Sequence, residues 1–305
     1  MNKVRYRLMH ISRCKGIGRK TIRKFLQFDP TLEEIYNLSV KDLNLQFSIP
    51  LKKAHLFYST LHDSQQKNQL IHDLKKYKII TIVDEVYPTM LRTIRDAPLV
   101  LYALGDLRLL QTKPALAVIG TRKPSYEAKA KLDYITKPLL EENWLIVSGM
   151  AKGIDGYAHM LALEQAGKTI AVLGGGFEYI YPKEHIPLFK EIVEYGLVIS
   201  EYPPKIKPAK HHFPERNRII SGLAFGTLVI EATEKSGTMI TVEQALDQGR
   251  DVFAVPGSPI IPQTRGCHLL IQDGAKLTQH ANDIREDWIT RTNGYIKNND
   301  TEIKK

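Results

Sequence analysis

The side chains best suited to chemistry in this sequence lie close together between positions 205 and 220. The segment KIKPAKHHFPERNRII carries five basic residues, two histidines and one phenylalanine against a single acid. Ammonium and guanidinium groups bind phosphates and a ring stacks on a base, so this mixture is typical of a groove for single-stranded nucleic acid. The basic residues are Lys205, Lys207, Lys210, Arg216 and Arg218, and the ring is Phe213.

Several of these side chains also have an ordinary structural interpretation. Phe213 can stack on a base or pack in the core, and Arg216 or Arg218 can be an intramolecular clamp, which is common for one of a pair. Asn217 stands between them in a helix expected to begin after Pro214. The first residues of that helix would present Arg216 and Asn217 to one surface.

Three glycine-bearing segments follow predicted strands and precede predicted helices. They are Gly120-Thr121-Arg122, the SGMAKG run at 148–153 and the GGG run at 174–176. Arg122 offers a planar fork to a phosphate at a helix N-terminus, or pairs with a structural carboxylate. The SGMAKG run can form an anion-binding nest, and the GGG run allows a ligand close to the backbone or simply makes a tight turn.

Two familiar phosphate motifs are absent. The loop after the first strand is not GxGxxG, which disfavours a dinucleotide-dependent oxidoreductase. The glycines at 149 and 153 lack the GK[ST] ending of a P-loop.

The alternative hypothesis is an enzyme that acts on nucleotides. Glu231 ends a predicted strand, and Glu243 follows the SGT of 236–238, which resembles PGGxGTxxE enzymes that cleave nucleotide N-glycosidic bonds. The Pro-Gly-Gly lead is missing and Glu243 lies two residues too far along the chain. His159 is more simply a packed or surface histidine than a catalytic one.

The elements that must position these residues alternate between strand and helix from Pro114 onward. Short Val- and Ile-rich runs predict buried parallel strands, and right-handed crossovers then give a doubly wound, Rossmann-like α/β sheet. The predicted strands are 115–119, 144–147, 169–173, 197–199, 227–230 and 251–255, with further strands at 79–83 and 99–104. Ligands of such sheets bind at the carboxyl ends of the strands, where all three glycine-bearing segments lie.

Residues 1–62 are predicted to form a small all-α domain, 63–289 the Rossmann-like domain, and 290–305 a polar tail without regular structure. Helices are expected over 4–12, 19–28, 32–36 and 52–61. The Gly16-Ile17-Gly18 turn resembles a helix-hairpin-helix motif, whose backbone contacts a DNA phosphate. It could equally be a turn whose glycines only cap a helix.

Composition limits the classes of function. The net charge of +10 is uneven, since residues 1–62 carry 12 Lys and Arg against 4 Asp and Glu. This asymmetry suits a polyanion, although a solvated basic face explains it equally well. Two distant cysteines provide neither a disulfide framework nor a metal site, and we see neither a signal peptide nor a membrane span, so the expected location is the reducing cytoplasm.

Seven phrases together resemble the bacterial DNA-processing protein A family, also called DprA or Smf. They are AVIGTRKPS (117–125), SGMAKGIDGYAH (148–159), TIAVLGGGFEYIYP (169–182), SEYPP (200–204), FPERNRIISGLA (213–224), VIEATEKSGTMIT (229–241) and GRDVFAVPG (249–257). The resemblance implies a Rossmann-like fold, a SAM-like N-terminal domain, homodimerisation, and single-stranded DNA binding that helps load the RecA recombinase during natural transformation. Some members add a C-terminal winged helix, which we do not expect here.

We therefore predict a non-enzymatic protein that binds and protects single-stranded DNA, without metal or cofactor. The predicted DNA-binding residues, from the patterns above and from the motifs that match the family, are Arg122, Ser148, Gly149, Lys152, Gly153, Gly174, Gly175, Lys207, Lys210, Phe213, Arg216, Asn217 and Arg218. Apolar positions in the late helices are candidates for the dimer interface, namely Val242, Ala245, Leu246, Leu269 and Leu270.

Overall fold

The structure, a computed structural model, describes residues 2–302 of the chain, with side chains through residue 292. The helices are α1 (Lys3–Ile11), α2 (Arg19–Phe28), α3 (Val40–Phe47), α4 (Leu51–Leu61), α5 (Ser64–Lys76), α6 (Thr89–Arg92), α7 (Ala128–Glu141), α8 (Ile154–Glu164), α9 (Ile186–Tyr195), α10 (His212–Leu223), α11 (Gly237–Asp247), α12 (Arg265–Gln272) and α13 (Ala281–Glu302). The strands are β1 (Lys78–Thr81), β2 (Val100–Gly105), β3 (Ala115–Ile119), β4 (Leu145–Ser148), β5 (Lys168–Leu173), β6 (Leu197–Ser200), β7 (Gly226–Val229), β8 (Asp251–Ala254) and β9 (Lys276–Leu277).

The strands form one mainly parallel sheet in the order β1-β2-β6-β5-β4-β3-β7-β8-β9. The segment from β3 to β9 is parallel, and β1 and β2 extend it as an antiparallel edge. Every residue of β3 is buried, as is expected of a strand covered on both faces. The Rossmann-like α/β prediction is confirmed, and only β9 was missed among the strands because two residues give no periodic signal.

Helices cover both faces of the sheet. On one face, α7, α8 and α13 pack around Trp144, Phe225 and Phe253. On the other, α10, α11 and α12 enclose a second apolar core that includes Ile219 and Val242. Both faces of the sheet are therefore covered in this region, which leaves the strand ends to carry a site.

The N-terminal helices share a continuous apolar core with one edge of the sheet. Phe25 and Phe57 lie in the same cluster as Tyr102 of β2 and Ile192 of α9. The helix α3 was not predicted, although Ser39 and Asp42 form a capping box that marks its start. The division into domains at residue 62 stays a prediction.

Two further expectations are corrected. The tail was expected to lack regular structure from residue 290, but α13 continues to Glu302; residues 303–305 lie outside the described residues. Three of the apolar positions offered for a dimer interface, Val242, Ala245 and Leu270, are core residues, while Leu246 and Leu269 are exposed. Within residues 2–302, no helix has both the length and the apolar character that crossing a membrane requires.

Candidate nucleic-acid interface

The site lies where the strand order changes direction. β3 pairs with β4 on one side and with β7 on the other. Strands β4 to β6 therefore lie on one side of β3, and strands β7 to β9 lie on the other. Such a switch point opens a crevice at the carboxyl ends of the strands. A cleft of about 810 Å³ occupies this position, between the loop after β3 and the first turns of α10 and α11.

Cations and rings meet on one wall of this cleft. The Cζ atom of Arg122 lies 5.7 Å from the centroid of the Phe213 ring, and the ring of Tyr181 lies 5.7 Å from it on another side. Phe213 is only partly buried, and Arg122 and Lys210 are exposed. The structure brings five predicted residues together along this cleft, namely Arg122, Lys210, Phe213, Arg216 and Asn217.

The backbone that carries Arg122 is fixed by a close approach of two loops. Gly153 has φ +76°, and a Cβ atom there would lie 2.4 Å from the carbonyl oxygen of Thr121. The Ile154 N–H also donates to this carbonyl, at 3.3 Å. A side chain at position 153 would therefore displace the loop that presents Arg122, so Gly153 shapes the site without lining it.

Gly174 has a comparable role for the aromatic ring. A Cβ atom on Gly174 would lie 2.9 Å from Cδ1 of Phe213. The ring therefore packs directly on the end of β5, which explains why glycine stands there. Its neighbour Gly175 packs against Pro208 and does not line the cleft.

Arg216 is largely buried and joins two strand ends, and its contact with a phosphate stays a prediction. It lines the cleft, but only 3% of the residue is exposed. Its Nη1 donates to the carbonyl oxygens of Gly149 (2.5 Å) and Val172. Burial lowers the pKa of Arg216 to about 10, although the charge of Asp155 opposes this shift. The guanidinium joins the ends of β4 and β5, and Gly149 leaves room for it.

Two other predicted ligands have purely structural partners. Arg218 is buried and its Nη2 donates to both carboxylate oxygens of Glu201, at 2.8 and 2.7 Å. Ser148 is fully buried and its hydroxyl donates to the Val118 carbonyl at 2.6 Å. Neither lines the cleft. In the segment expected to form an anion-binding nest, the Gly149 N–H donates to the Asp155 carboxylate at 3.2 Å.

The three predicted lysines occupy different positions around the cleft. Lys210 lines the main cleft, and Lys152 lines a small adjoining recess with Arg122 and Phe213. The Lys152 Nζ atom also lies 2.6 Å from a carboxylate oxygen of Glu184, an exposed ion pair. Lys207 is exposed outside the cleft, with Nζ 5.3 Å from the centroid of the Tyr179 ring.

The opposite wall was not recognised as a binding surface from the sequence. It includes Thr233, Lys235, Ser236, Gly237 and Thr238, from the loop after β7 and the start of α11. The SGT of this wall was noticed in an enzyme motif and in a family phrase, but not as a binding surface. The order of the strands in the sheet would have revealed this wall. Because β7 runs parallel beside β3, the loop after β7 lies next to the loop after β3.

The two carboxylates of the enzymatic alternative lie in different environments. Glu231 is fully buried and accepts from the Ser125 N–H (2.8 Å), the Ser125 hydroxyl (2.5 Å) and Lys131 (3.2 Å). Glu231 therefore anchors the loop after β3. Glu243 is exposed on α11 outside the cleft, and His159 is buried against the Thr169 hydroxyl at 2.7 Å.

A second cleft, of about 550 Å³, adjoins the glycine turn of the N-terminal helices. Gly16 has φ +89° and packs against the Lys53 carbonyl, and Gly18 caps α2. Lys24 and Lys53 line this cleft. Contact between this turn and DNA stays a prediction.

Comparison with known proteins assigns the chain to a family. The family model described as DNA recombination-mediator protein A matches residues 78–289. The chain belongs to that family. It is 45% identical over 218 residues to the DNA processing protein DprA of Bacillus subtilis, covering 72% of this chain and 73% of that one.

Solved structures agree with this assignment. The X-ray structure of DNA processing protein A from Streptococcus pneumoniae superposes with a TM-score of 0.81 at 38% identity, covering 94% of this chain and 97% of that one. The Helicobacter pylori structure, described as revealing a unique single-stranded DNA binding mode, superposes with a TM-score of 0.64 at 28% identity, covering 71% and 97%.

Proposed function

We propose that the cleft at the carboxyl ends of β3 and β7 binds single-stranded DNA. The observation that carries this proposal is the Arg122 guanidinium 5.7 Å from the centroid of the partly buried Phe213 ring, with exposed Lys210 lining the same cleft. A cation beside an aromatic platform binds a phosphate and a neighbouring base at once. The relative from H. pylori, whose structure describes a single-stranded DNA binding mode, supports the same assignment.

The single strand is favoured over duplex by the position of the ring. Phe213 lies inside a cleft between two loops, with Tyr181 beside it, and does not project from a flat surface. A base must leave its stack to reach such a ring, which an unpaired strand allows at little cost. We expect little sequence preference, because Arg122 and Lys210 bind phosphate and the Phe213 ring can stack on any base.

We further propose that the strand leaves the cleft chemically unchanged. The carboxylate nearest to the loop after β3, Glu231, is held by Ser125 and Lys131 and has no access to the cleft. The role is then protection of the strand and its transfer to the RecA recombinase in the cytoplasm, as in natural transformation. The family's description as recombination mediators supports this role.

Homodimerisation is the remaining part of the proposal. Leu246 and Leu269 are 60% and 39% exposed on α11 and α12, on the side of the sheet that also carries α10. Light scattering should give twice the monomer mass. A Leu246→Glu, Leu269→Glu variant should shift toward the monomer, whereas unchanged mass would remove this surface from the proposal.

The DNA-binding proposal is tested by titrating a fluorescent oligonucleotide with three variants over a series of salt concentrations. Arg122→Met should weaken binding and reduce the slope of log K against log [salt] by about 0.7, the value for one phosphate of a single strand. Phe213→Ala should cost about 1–3 kcal/mol with an unchanged slope, because stacking releases no counterion. Lys129→Met, on the exposed face of α7 and outside the cleft, is the charge-matched control.

If Arg122→Met and Phe213→Ala both bind like the control variant, the cleft is not the DNA site. A duplex of the same length should bind more weakly than the single strand throughout the salt series. Equal affinities would contradict the role of the ring.

A further inference from the structure

Five charged side chains meet at the junction of the N-terminal helices, the sheet and α10, and together form what we call the junction cluster. It consists of Arg19, Asp96, Glu201, Glu215 and Arg218. Three carboxylates face two guanidiniums there. Arg19 and Asp96 lie far from the cleft motifs in sequence, whereas Glu215 lies in the first turn of α10 beside Phe213.

Arg19 is the contribution of the N-terminal helices to this cluster. Its Nη2 lies 2.8 Å from Asp96, and its Nη1 lies 3.2 Å from Glu215 and 3.5 Å from Glu201. Burial disfavours its charge, but Glu201, Asp96 and Glu215 outweigh that effect and raise the pKa of Arg19. One guanidinium at the start of α2 therefore holds three carboxylates from other parts of the chain.

Glu215 transmits this contact to the cleft. It accepts a hydrogen bond from the Tyr202 hydroxyl at 2.9 Å. The Tyr202 ring stacks on His212 with centroids 4.0 Å apart, and His212 Nδ1 lies 3.1 Å from the Gly174 carbonyl. The first turn of α10 is thus held on both sides of Phe213.

We infer that Arg19 is a positioning residue that couples the N-terminal helices to the DNA-binding cleft. This inference rests on the proposed function of the cleft. Without Arg19, the three carboxylates lose one of the two guanidiniums of the cluster. Among the described residues, Glu215 then has no ion pair within 4 Å, and only the more distant charge of Arg218 still acts on it. Repulsion among the carboxylates then moves the first turn of α10, and Phe213 moves with it.

Arg19 acts through α10 and not on the strand itself. It does not line the cleft, and its guanidinium is occupied by three carboxylates. A residue that contacts a phosphate contributes to the salt dependence of binding, whereas one that only positions the ring changes affinity at a constant salt slope. This difference separates the two roles.

The test compares Arg19→Met with Lys20→Met, in the full chain. Lys20 is the next residue of α2, is exposed, and its substitution removes the same charge. We expect Arg19→Met to weaken oligonucleotide binding by about fivefold or more, the lower end of couplings between distant sites. Lys20→Met should bind like the wild type, and the salt slope should not change in either variant.

A double-mutant cycle with Phe213→Ala adds a measurement that a general loss of stability would not change. If Arg19 acts by placing the ring, Arg19→Met should have almost no further effect once the ring is absent. Additive losses, or a salt slope reduced by the contribution of one phosphate, would overturn the inference. So would equal effects of Arg19→Met and Lys20→Met.

The conclusion does not depend on a single substitution. Glu215→Gln keeps an acceptor for Tyr202 but removes the charge that pairs with Arg19, and it should give the same loss with the same dependence on Phe213. If Arg19→Met does not fold, Glu215→Gln decides by these criteria. If Phe213→Ala itself binds normally, the proposed function fails; if only the junction variants bind normally, the inference alone fails.

Discussion

Arg216 should contribute mainly to the stability of the fold, although its position in a basic segment suggests a phosphate ligand. We consider Arg216→Met, which keeps a long unbranched side chain but removes the charge. The carbonyls of Gly149 and Val172 then lose a charged donor, and buried Asp155 loses the charge that most strongly opposes the rise in its pKa. Removing one partner of a buried charge pair costs about 3–5 kcal/mol.

That loss is a large fraction of the free energy of unfolding, which is about 5–15 kcal/mol for a typical domain. Urea unfolding followed by circular dichroism measures it directly, provided that the slope of free energy against urea is unchanged. Arg122→Met is the matched control, because Arg122 is exposed at the cleft. We expect its unfolding free energy to stay within about 0.5 kcal/mol of wild type.

The coupling between Arg216 and Asp155 provides a second measurement. If Asp155→Asn is introduced first, Arg216 no longer has a buried anion to offset, and Arg216→Met should cost less than in the wild type. A loss below about 1 kcal/mol for Arg216→Met alone, or an equal loss for Arg122→Met, would refute the assignment of Arg216 as a clamp.

Two further predictions concern the ring and the buried histidines. Gly174→Ala places Cβ 2.9 Å from Phe213, so the partly exposed ring must turn away. Oligonucleotide affinity should fall in this variant, but Gly174→Ala should have no further effect when Phe213 is already alanine. An unchanged affinity in the single variant would contradict this packing. Burial lowers the pKa of His10 to about 4 and that of His159 to about 3, so both stay neutral in the folded protein while unfolded histidines protonate near 6.5. Stability should therefore be full above pH 6.5 and fall below it, by about 2 kcal/mol per histidine at pH 5, and His159→Gln should flatten the urea-measured pH profile.

The strand pattern was readable from the sequence because each parallel strand is buried on both faces. Apolar runs such as Ala115–Ile119 have no polar alternation, and their glycine-bearing ends mark the binding edge. The charged and aromatic character of the segment around Phe213 was equally visible. These features are local, so a short window of sequence contains them.

The choice between ligand and clamp was not local. Arg122, Arg216 and Arg218 are the same residue type near similar loops, yet one is exposed and the other two are buried. Whether each arginine is exposed or buried depends on which carbonyls and carboxylates the fold brings near it. Glu201 becomes a partner of Arg218 only when the end of β6 packs beside α10.

By itself the sequence determined the fold class, the edge of the sheet that carries the site, and the cation-and-ring chemistry. Tertiary structure decided which cations reach solvent, added the wall at Lys235, and joined Arg19 to Glu215. The physical reason is that burial and charge pairing depend on neighbours far apart in the chain, whereas periodicity and turn formation depend on adjacent residues.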